Sequence, residues 1–385
     1  MAEDPDRVAL AVIAREWGRI GCIGFGGPPA HIALLRRLCV DDRGWLAAGE
    51  FEDGVAAVNL LPGPASTQLA IFCAWRVRGR LGALAGGAAF IVPGLIVILG
   101  LAALFLGGSP PLWVLGAGAG AGAAVPAVAV QAGTSLAGPS WQRRKHALRW
   151  LLYLAAGAAS AATIGPWLVL VLLGCGAIEL AAQHAGQDAR AHGILAAPLL
   201  ASGALASGVL LSVAWVAFKV GALSYGGGFV IIPLMQSDAV NHYHWMTSAE
   251  FLNAVALGQV TPGPVVQTVA VVGYAAAGLV GGLFASLVAF SPSFAFILFG
   301  ASRFDRIRDN RHAQGFLAGA GPAAIGAILG SAIPLARALT QPWQYAVLAA
   351  ALILLLALRR GVVLTLVSAG VVGTVIAVAG GPLPH

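Results

Sequence analysis

Leu61-Pro62-Gly63-Pro64 and, 200 residues later (62 to 262), Thr261-Pro262-Gly263-Pro264 decide the fold. Proline lacks a backbone N–H and breaks a helix interior. Glycine between two prolines turns the chain with almost no side chain. Each stretch therefore ends one apolar helix and starts another, with the second proline at the first helical position, where a missing N–H costs nothing. The residues that follow, Ala65-Ser66-Thr67-Gln68 and Val265-Val266-Gln267-Thr268, would hold the free N–H groups of a helix start. Such an end carries partial positive charge and attracts anions. Within a bilayer, a broken helix is tolerated only where it is buried in protein or lines a polar cavity.

The offset of 200 extends on both sides of the two turns. It pairs Gly21 with Gly221, Gly26 with Gly226, Gly27 with Gly227, Ile32 with Ile232, Trp45 with Trp245, Glu50 with Glu250 and Phe51 with Phe251. Beyond the turns it pairs Ala70 with Ala270, Gly82 with Gly282, Phe90 with Phe290 and Gly100 with Gly300, so a gapless duplication is expected. Chance gives some matches in a chain with 52 glycines. It does not readily align two tryptophans, two Glu-Phe pairs and two Pro-Gly-Pro turns.

The composition points the same way. Of 385 residues, 59% are hydrophobic and 10% charged, against about 25% charged in soluble domains. This is the profile of a polytopic membrane protein. The net charge of +7 lies in short clusters, which argues against nucleic-acid binding. The acidic start, Met1 to Asp6, lacks the basic region of a signal peptide, so the first apolar helix is expected to stay as a membrane element. Cys22, Cys39, Cys73 and Cys175 form no CxxC pair and read as packing residues. There is no HExxH, GxSxG or GxxxxGK[ST] motif, and no Asp-Asp, Ser-Lys or His-cluster pair that an intramembrane enzyme would need. No catalytic residue, metal site or cofactor is expected. The run Gly116-Ala117-Gly118-Ala119-Gly120 reads as close helix packing.

Along the chain, Val8 to Phe25 runs into a second kind of break, Gly26-Gly27-Pro28-Pro29, and His31 to Val40 continues as helix. Phe51 to Leu61 and Ala65 to Trp75 flank the first turn. A full crossing needs about 20 residues and these arms are shorter, so the pair forms either one broken span or a re-entrant hairpin. Leu81 to Leu106 and Leu112 to Leu136 are long enough to cross, and Leu148 to Leu180 reads as two short crossings bent at Gly165-Pro166. Gln183 to His192 is a polar linker, which puts an N-terminal repeat at 1–193 and a C-terminal repeat at 194–385. The second half repeats the plan with Gly226-Gly227-Gly228, Trp245 and the second turn. The fold expected is an all-α polytopic membrane protein with roughly 10–13 transmembrane segments.

Basic residues orient the halves, because cytoplasmic loops are rich in Lys and Arg. The basic loops of the first half are Arg36-Arg37-Arg43, Arg76-Arg78-Arg80 and Arg143-Arg144-Lys145-Arg149, and the first two sets have no cation at the positions 200 further on. Arg303, Arg306, Arg308 and Arg311 follow a span whose first-half counterpart ends in uncharged Gly107 to Pro111. Matching loops carry opposite bias, so the repeats should be inverted, with broken helices meeting near the midplane as in many secondary transporters.

Four breaks should then converge: Gly26-Gly27-Pro28, Pro62-Gly63-Pro64, Gly226-Gly227-Gly228 and Pro262-Gly263-Pro264. Their helix starts, with the hydroxyls of Ser66, Thr67 and Thr268 and the amides of Gln68, Gln259 and Gln267, suit an oxyanion. The alternative is that these glycines only permit close packing. Arg19 and Lys219 sit seven residues before Gly26 and Gly226. Two helical turns place each on the face of its break, about 10 Å away. They either face the anion or snorkel to the interface. His31 is either a donor to the anion or a satisfied core histidine. Glu50 and Glu250 read as helix-start charges or as coupling carboxylates.

The motifs Phe25-Gly26-Gly27-Pro28-Pro29-Ala30-His31-Ile32, Leu61-Pro62-Gly63-Pro64 and the Gly-Gly-Gly and Pro-Gly-Pro of the second half resemble the chromate ion transporter family, in its long two-domain form. The resemblance covers nearly the whole chain. It implies a bacterial cytoplasmic-membrane protein that exports chromate and confers chromate resistance. The partners it implies are chromate or a sulfate-like oxyanion and the lipid bilayer, with a homodimer allowed and no nucleic acid. Chromate is a tetrahedral dianion shaped like sulfate, so a sulfate or other oxyanion carrier is the alternative. Two positions break the internal symmetry: Asn59 stands where the repeat has Gln259, and Gly228 where the first half has Pro28.

Overall fold

The computed structural model describes residues 8–59, 61–108, 110–163, 168–184, 208–224, 230–301 and 310–384. Gly226-Gly227-Gly228, the Gly165-Pro166 bend, Arg303, Arg306 and Arg308, and the repeat boundary at 193/194 lie outside the described residues. Everything described is helix or connection. The first half begins with α1 (Leu10–Ile23), α2 (Pro28–Arg36), α3 (Ala48–Val58), α4 (Ala65–Leu106) and α5 (Leu112–Gln142). It ends with α6 (Ala147–Thr163) and α7 (Leu168–His184). The second half holds α8 (Val209–Leu223), α9 (Ile231–Gln236), α10 (Ser248–Val260), α11 (Thr268–Gly300), α12 (Arg311–Arg337), α13 (Pro342–Leu352) and α14 (Val362–Val378). Among the described residues, four helices are long and apolar enough to cross a membrane: those of α4, α5, α11 and α12.

The short elements before α4 fold back on themselves. Residues just past α2 return to the middle of α1: Arg43 Nη2 donates to Glu16 Oε1 at 2.8 Å, and Trp45 stacks on Trp17 with centroids 6.0 Å apart. The Gly-Gly-Pro break is thus the tip of one hairpin. The Pro-Gly-Pro turn is the tip of another. A β-carbon on Gly54 of α3 would fall 2.5 Å from the Phe72 ring of α4, and Arg76 pairs with Glu50. Both ends of this hairpin lie on one side, so of the two forms open from the sequence the chain takes the re-entrant one.

The first arm of α4, 65–77, ends in a sharp reversal at Arg78 (φ −151°, ψ 36°) and Gly79 (φ 57°, ψ −149°). Only glycine adopts the second conformation readily. Residues 80–106 then run the other way, about 40 Å at 1.5 Å per residue. The same reversal recurs in α11 at Ala277 (φ −149°, ψ 30°) and Gly278 (φ 63°, ψ −154°).

Those reversals are 199 residues apart, not 200. The wider π-type turns at Arg37–Asp42 and Ser237–His242 keep the offset of 200. Past the Pro-Gly-Pro turns the offset drops by one: Gln68 matches Gln267, and Pro93 within α4 matches Pro292 within α11. Gly21 packs on the Phe90 carbonyl, and Gly221 packs on that of Ala289, not of Phe290. The gapless register expected from sequence is therefore corrected. The missing residue is absorbed at Val265–Gln267, which winds as a 3₁₀ turn. Three residues rising about 2.0 Å each span the same ~6 Å as four α-helical ones.

The long arms of α4 and α11 pack antiparallel. A β-carbon on Gly87 would meet the Phe294 ring at 2.6 Å, and one on Gly282 would meet Leu99 Cδ2 at 2.5 Å. Moving up one arm moves down the other, so the reversals at Gly79 and Gly278 lie on opposite faces. The repeats are inverted. Small residues allow this packing elsewhere too: Gly116 and Gly120 of α5 sit on the backbone of Gly373 and Ala369 of α14, the close-approach pattern of membrane helices. We expect Arg80→Cys and Leu279→Cys, one residue past each reversal, to be labelled by an impermeant thiol reagent from opposite sides of the membrane. Labelling of both from one side would refute the inverted arrangement.

Candidate functional site

The tips of the hairpins meet reciprocally. Gly63 N–H donates to the Ser224 carbonyl at 3.0 Å, and Gly263 N–H donates to the Gly24 carbonyl at 3.0 Å. Each Pro-Gly-Pro turn is hydrogen-bonded to the end of the other half's first helix. Positive φ at Gly63 (121°) and Gly263 (95°) points these N–H groups across the repeat boundary. Gly26 and Gly27 also have positive φ, and a β-carbon on Gly27 would lie 3.8 Å from Val265 beside the second turn. Three of the four expected breaks are thereby brought together. The fourth lies outside the described residues.

Around the tips the polar side chains are buried. His31 on α2 is fully buried, with Nε2 2.9 Å from the Gly24 carbonyl and Nδ1 3.2 Å from Ser66 Oγ. Its ring meets the edge of Phe90 at 5.0 Å. It is satisfied on both nitrogens, and it backs the same Gly24 carbonyl that receives the Gly263 N–H. Gln68 Nε2 donates to the Pro62 carbonyl of its own turn at 2.7 Å, whereas Gln267 Nε2 reaches across to the Ile91 carbonyl at 2.6 Å. Thr268 Oγ1 caps back onto the Val265 carbonyl at 2.8 Å. Thr67 Oγ1, Gln68 Oε1, Ser224 Oγ and Gln267 Oε1 are buried with no hydrogen-bond partner among the described residues. Such orphaned groups are costly in an apolar interior, and here they cluster where helices are broken.

The two turns differ in exposure. Pro262, Gly263 and Pro264 are buried, with the Pro262 carbonyl against Gly94 of α4. Around the first turn, Pro62 is exposed, and Leu61, Gly63 and Ala65 line a cavity of about 1150 Å³. Further out, the same cavity is lined by Arg143, Arg144, Lys145 and Arg149 at the junction of α5 and α6, and by Arg311 at the start of α12. His146 and His312 border it as well. Among the described lining residues, Glu179 of α7 is the one carboxylate. A cleft walled by one sign of charge focuses the field and concentrates ions of the opposite sign. The arrangement is a cationic vestibule that ends at the first turn and at the N-terminus of α4.

Arg19 and Lys219 lie elsewhere. Arg19 is 64% exposed and 3.9 Å from Glu16, a carboxylate that also holds Arg15 and Arg43. Lys219 Nζ donates to Asp238 Oδ2 at 2.6 Å and sits 5.5 Å from the Trp215 ring. Neither lines the cavity.

Comparison with known proteins fits this geometry. The profile of the chromate transporter family matches residues 11–180 and 211–374. The chain belongs to the chromate transporter family. A chromate transport protein of Cupriavidus metallidurans is 31% identical over 325 residues, covering 83% of this chain and 80% of that protein. One from Pseudomonas aeruginosa is 30% identical over 336 residues, covering 83% and 79%. A probable chromate transport protein of Synechococcus elongatus is 29% identical over 343 residues, covering 86% and 85%. No solved structure matches the chain.

In this chromate-transporter-family chain the two matched stretches coincide with the two inverted halves. The residues at the mouth of the vestibule were not singled out as a site by sequence. Arg143, Arg144, Lys145 and Arg149 stand out there as a topology signal, but nothing local says that α7 and α12, one of them in the other half, complete a pocket around them.

Proposed function

We propose that the chain is a secondary transporter that carries chromate out of the cell across the bacterial cytoplasmic membrane and so confers chromate resistance. The single observation behind this reading is the vestibule: five cations and one carboxylate lining a path from the basic face to the first Pro-Gly-Pro turn. Chromate is the cargo named in the relatives. As a tetrahedral dianion it suits arginine, whose planar fork donates two parallel hydrogen bonds to an oxyanion. The basic face is read as cytoplasmic by the positive-inside rule, which makes the cavity open to the side from which export loads. The anion is placed against Pro62, Gly63 and the first turn of α4, where the helix end favours negative charge. The repeats are taken as 1–193 and 194–385, each supplying one turn to the midplane. No chemical reaction is part of this reading.

The test is uptake of radiolabelled chromate into inside-out membrane vesicles from cells expressing the protein. Uptake above that of control vesicles, with lower chromium content and higher chromate tolerance of the intact cells, is the expected result. Sulfate uptake without chromate uptake would transfer the reading to a sulfate carrier.

A further inference from the structure

The carboxylate in the vestibule wall has no evident place in an anion path. Glu179 is 6% exposed at its side chain, and Arg149, Tyr153 and Gln183 all donate to it. Oε2 accepts from Arg149 Nη1 at 3.2 Å and from the Tyr153 hydroxyl at 3.1 Å, and Oε1 accepts from Gln183 Nε2 at 3.1 Å. Arg149 is held differently. It is 32% exposed and reaches Glu179 through one nitrogen only. A guanidinium has five N–H donors arranged to grip an oxyanion with two at once. The single-point contact leaves that grip unused while the side chain faces the cavity. Two other partly buried ion pairs among the described residues are unlike this one: Glu16 with Arg43 and Lys219 with Asp238 both lie off the cavity.

We propose that Glu179 is the resident counter-ion of Arg149 and that the transported dianion displaces it, so that this exchangeable pair sets how tightly the anion is held and how readily it leaves. Without cargo, Glu179 neutralises Arg149. When the dianion arrives, Arg149 turns its fork to it, and Glu179 keeps Tyr153 and Gln183 as donors. Return of Arg149 to Glu179 then competes the anion off. This deepens the proposed function and rests on it. Tyr153 and Gln183 are positioning residues: by satisfying the carboxylate they lower the cost of giving up Arg149, since an unpaired buried charge is expensive.

The experiment is a double-mutant cycle on the full-length purified protein, reading equilibrium binding of labelled sulfate and chromate in detergent and chromate transport in proteoliposomes. Glu179→Gln is expected to tighten binding about tenfold, a charge-assisted contact's worth, and to lower the maximal transport rate. Arg149→Gln is expected to weaken binding by a similar factor. In the Arg149→Gln background, Glu179→Gln should no longer change the affinity, because the pair acts as a unit. Tyr153→Phe keeps the carboxylate but removes one of its donors, so it should weaken binding, and it decides the matter if Glu179→Gln does not fold. An unchanged affinity in Glu179→Gln, or the same tightening with and without the Arg149 side chain, would overturn the exchange. Absence of chromate transport by the unaltered protein would instead count against the proposed function, with the binding cycle still reading the pair.

Discussion

Gly63→Leu is expected to abolish transport while the protein still reaches the membrane in normal amount. Three effects coincide at this position. Its φ of 121° lies where side-chain-bearing residues are strained, a cost of order 1–3 kcal/mol. Its β-carbon would collide with the Gln68 amide and lie 3.3 Å from the Gly221 carbonyl. Its N–H would be pushed off the Ser224 carbonyl, one of the two backbone–backbone bonds that join the halves among the described residues. Gly63→Ala should keep a small fraction of activity. Gly263→Ala should be milder, because the atom nearest its β-carbon is 3.5 Å away, although Gly263→Leu, in a fully buried turn, should again be inactive. Pro64→Ala should keep part of the rate, since alanine starts a helix acceptably. Initial chromate uptake per unit of immunodetected protein measures the series. Wild-type uptake by Gly63→Leu would mean that the turns only pack.

Removing the charge of the vestibule mouth should be the other large effect. Arg143, Arg144 and Lys145 are exposed around the cavity, with Arg144 over the Trp141 ring at 3.4 Å. Focusing by such a cleft raises local ion concentration and capture by roughly 10- to 1000-fold, with steep salt dependence. The triple change Arg143→Gln, Arg144→Gln, Lys145→Gln should therefore raise the half-saturating chromate concentration at least about tenfold. It should also flatten the response to added salt, because screening acts on the field that has been removed. The triple Lys/Arg-exchanged control, Arg143→Lys, Arg144→Lys, Lys145→Arg, should stay near wild type. A triple Gln variant with an unchanged half-saturating concentration would assign these residues to membrane orientation alone.

Much of the architecture was legible in the chain because it rests on residues that restrict the backbone. Pro-Gly-Pro can be read as a helix break without knowing any neighbour, and its repetition with Trp45/Trp245 and Glu50/Glu250 reveals the duplication. Opposite basic bias in matching loops reveals the inversion. What escaped depends on packing. The one-residue deletion at Val265–Gln267 is masked because fortuitous matches such as Phe90/Phe290 persist at the wrong offset. Whether short arms continue or fold back depends on contacts such as Arg76 with Glu50 and Gly54 with Phe72. The partner of Lys219 is Asp238, 19 residues away across a break, and no helical spacing predicts it. The site was legible at its inner end, where Gly63 and Ala65 sit, and illegible at its mouth. The junction of α5 and α6, α7 and α12 come together there through long-range contacts such as Gly319 on the backbone of Cys175 and Tyr153 on Glu179.

The central claim is that anions travel from the basic face through the vestibule to the start of α4. Ala65 is the most direct reporter, being the first residue of that helix and part of the cavity lining. Cys22 is the exposed native cysteine and can be replaced by serine, while Cys39, Cys73 and Cys175 are buried. In that background, the rate at which a small charged thiol reagent modifies Ala65→Cys would be measured in inside-out and right-side-out vesicles, with and without sulfate, which unlike chromate does not oxidise thiols. Fast modification in inside-out vesicles only, slowed by sulfate in a saturable manner, is the predicted result; equal rates from both sides, or a rate that sulfate leaves untouched, would contradict it.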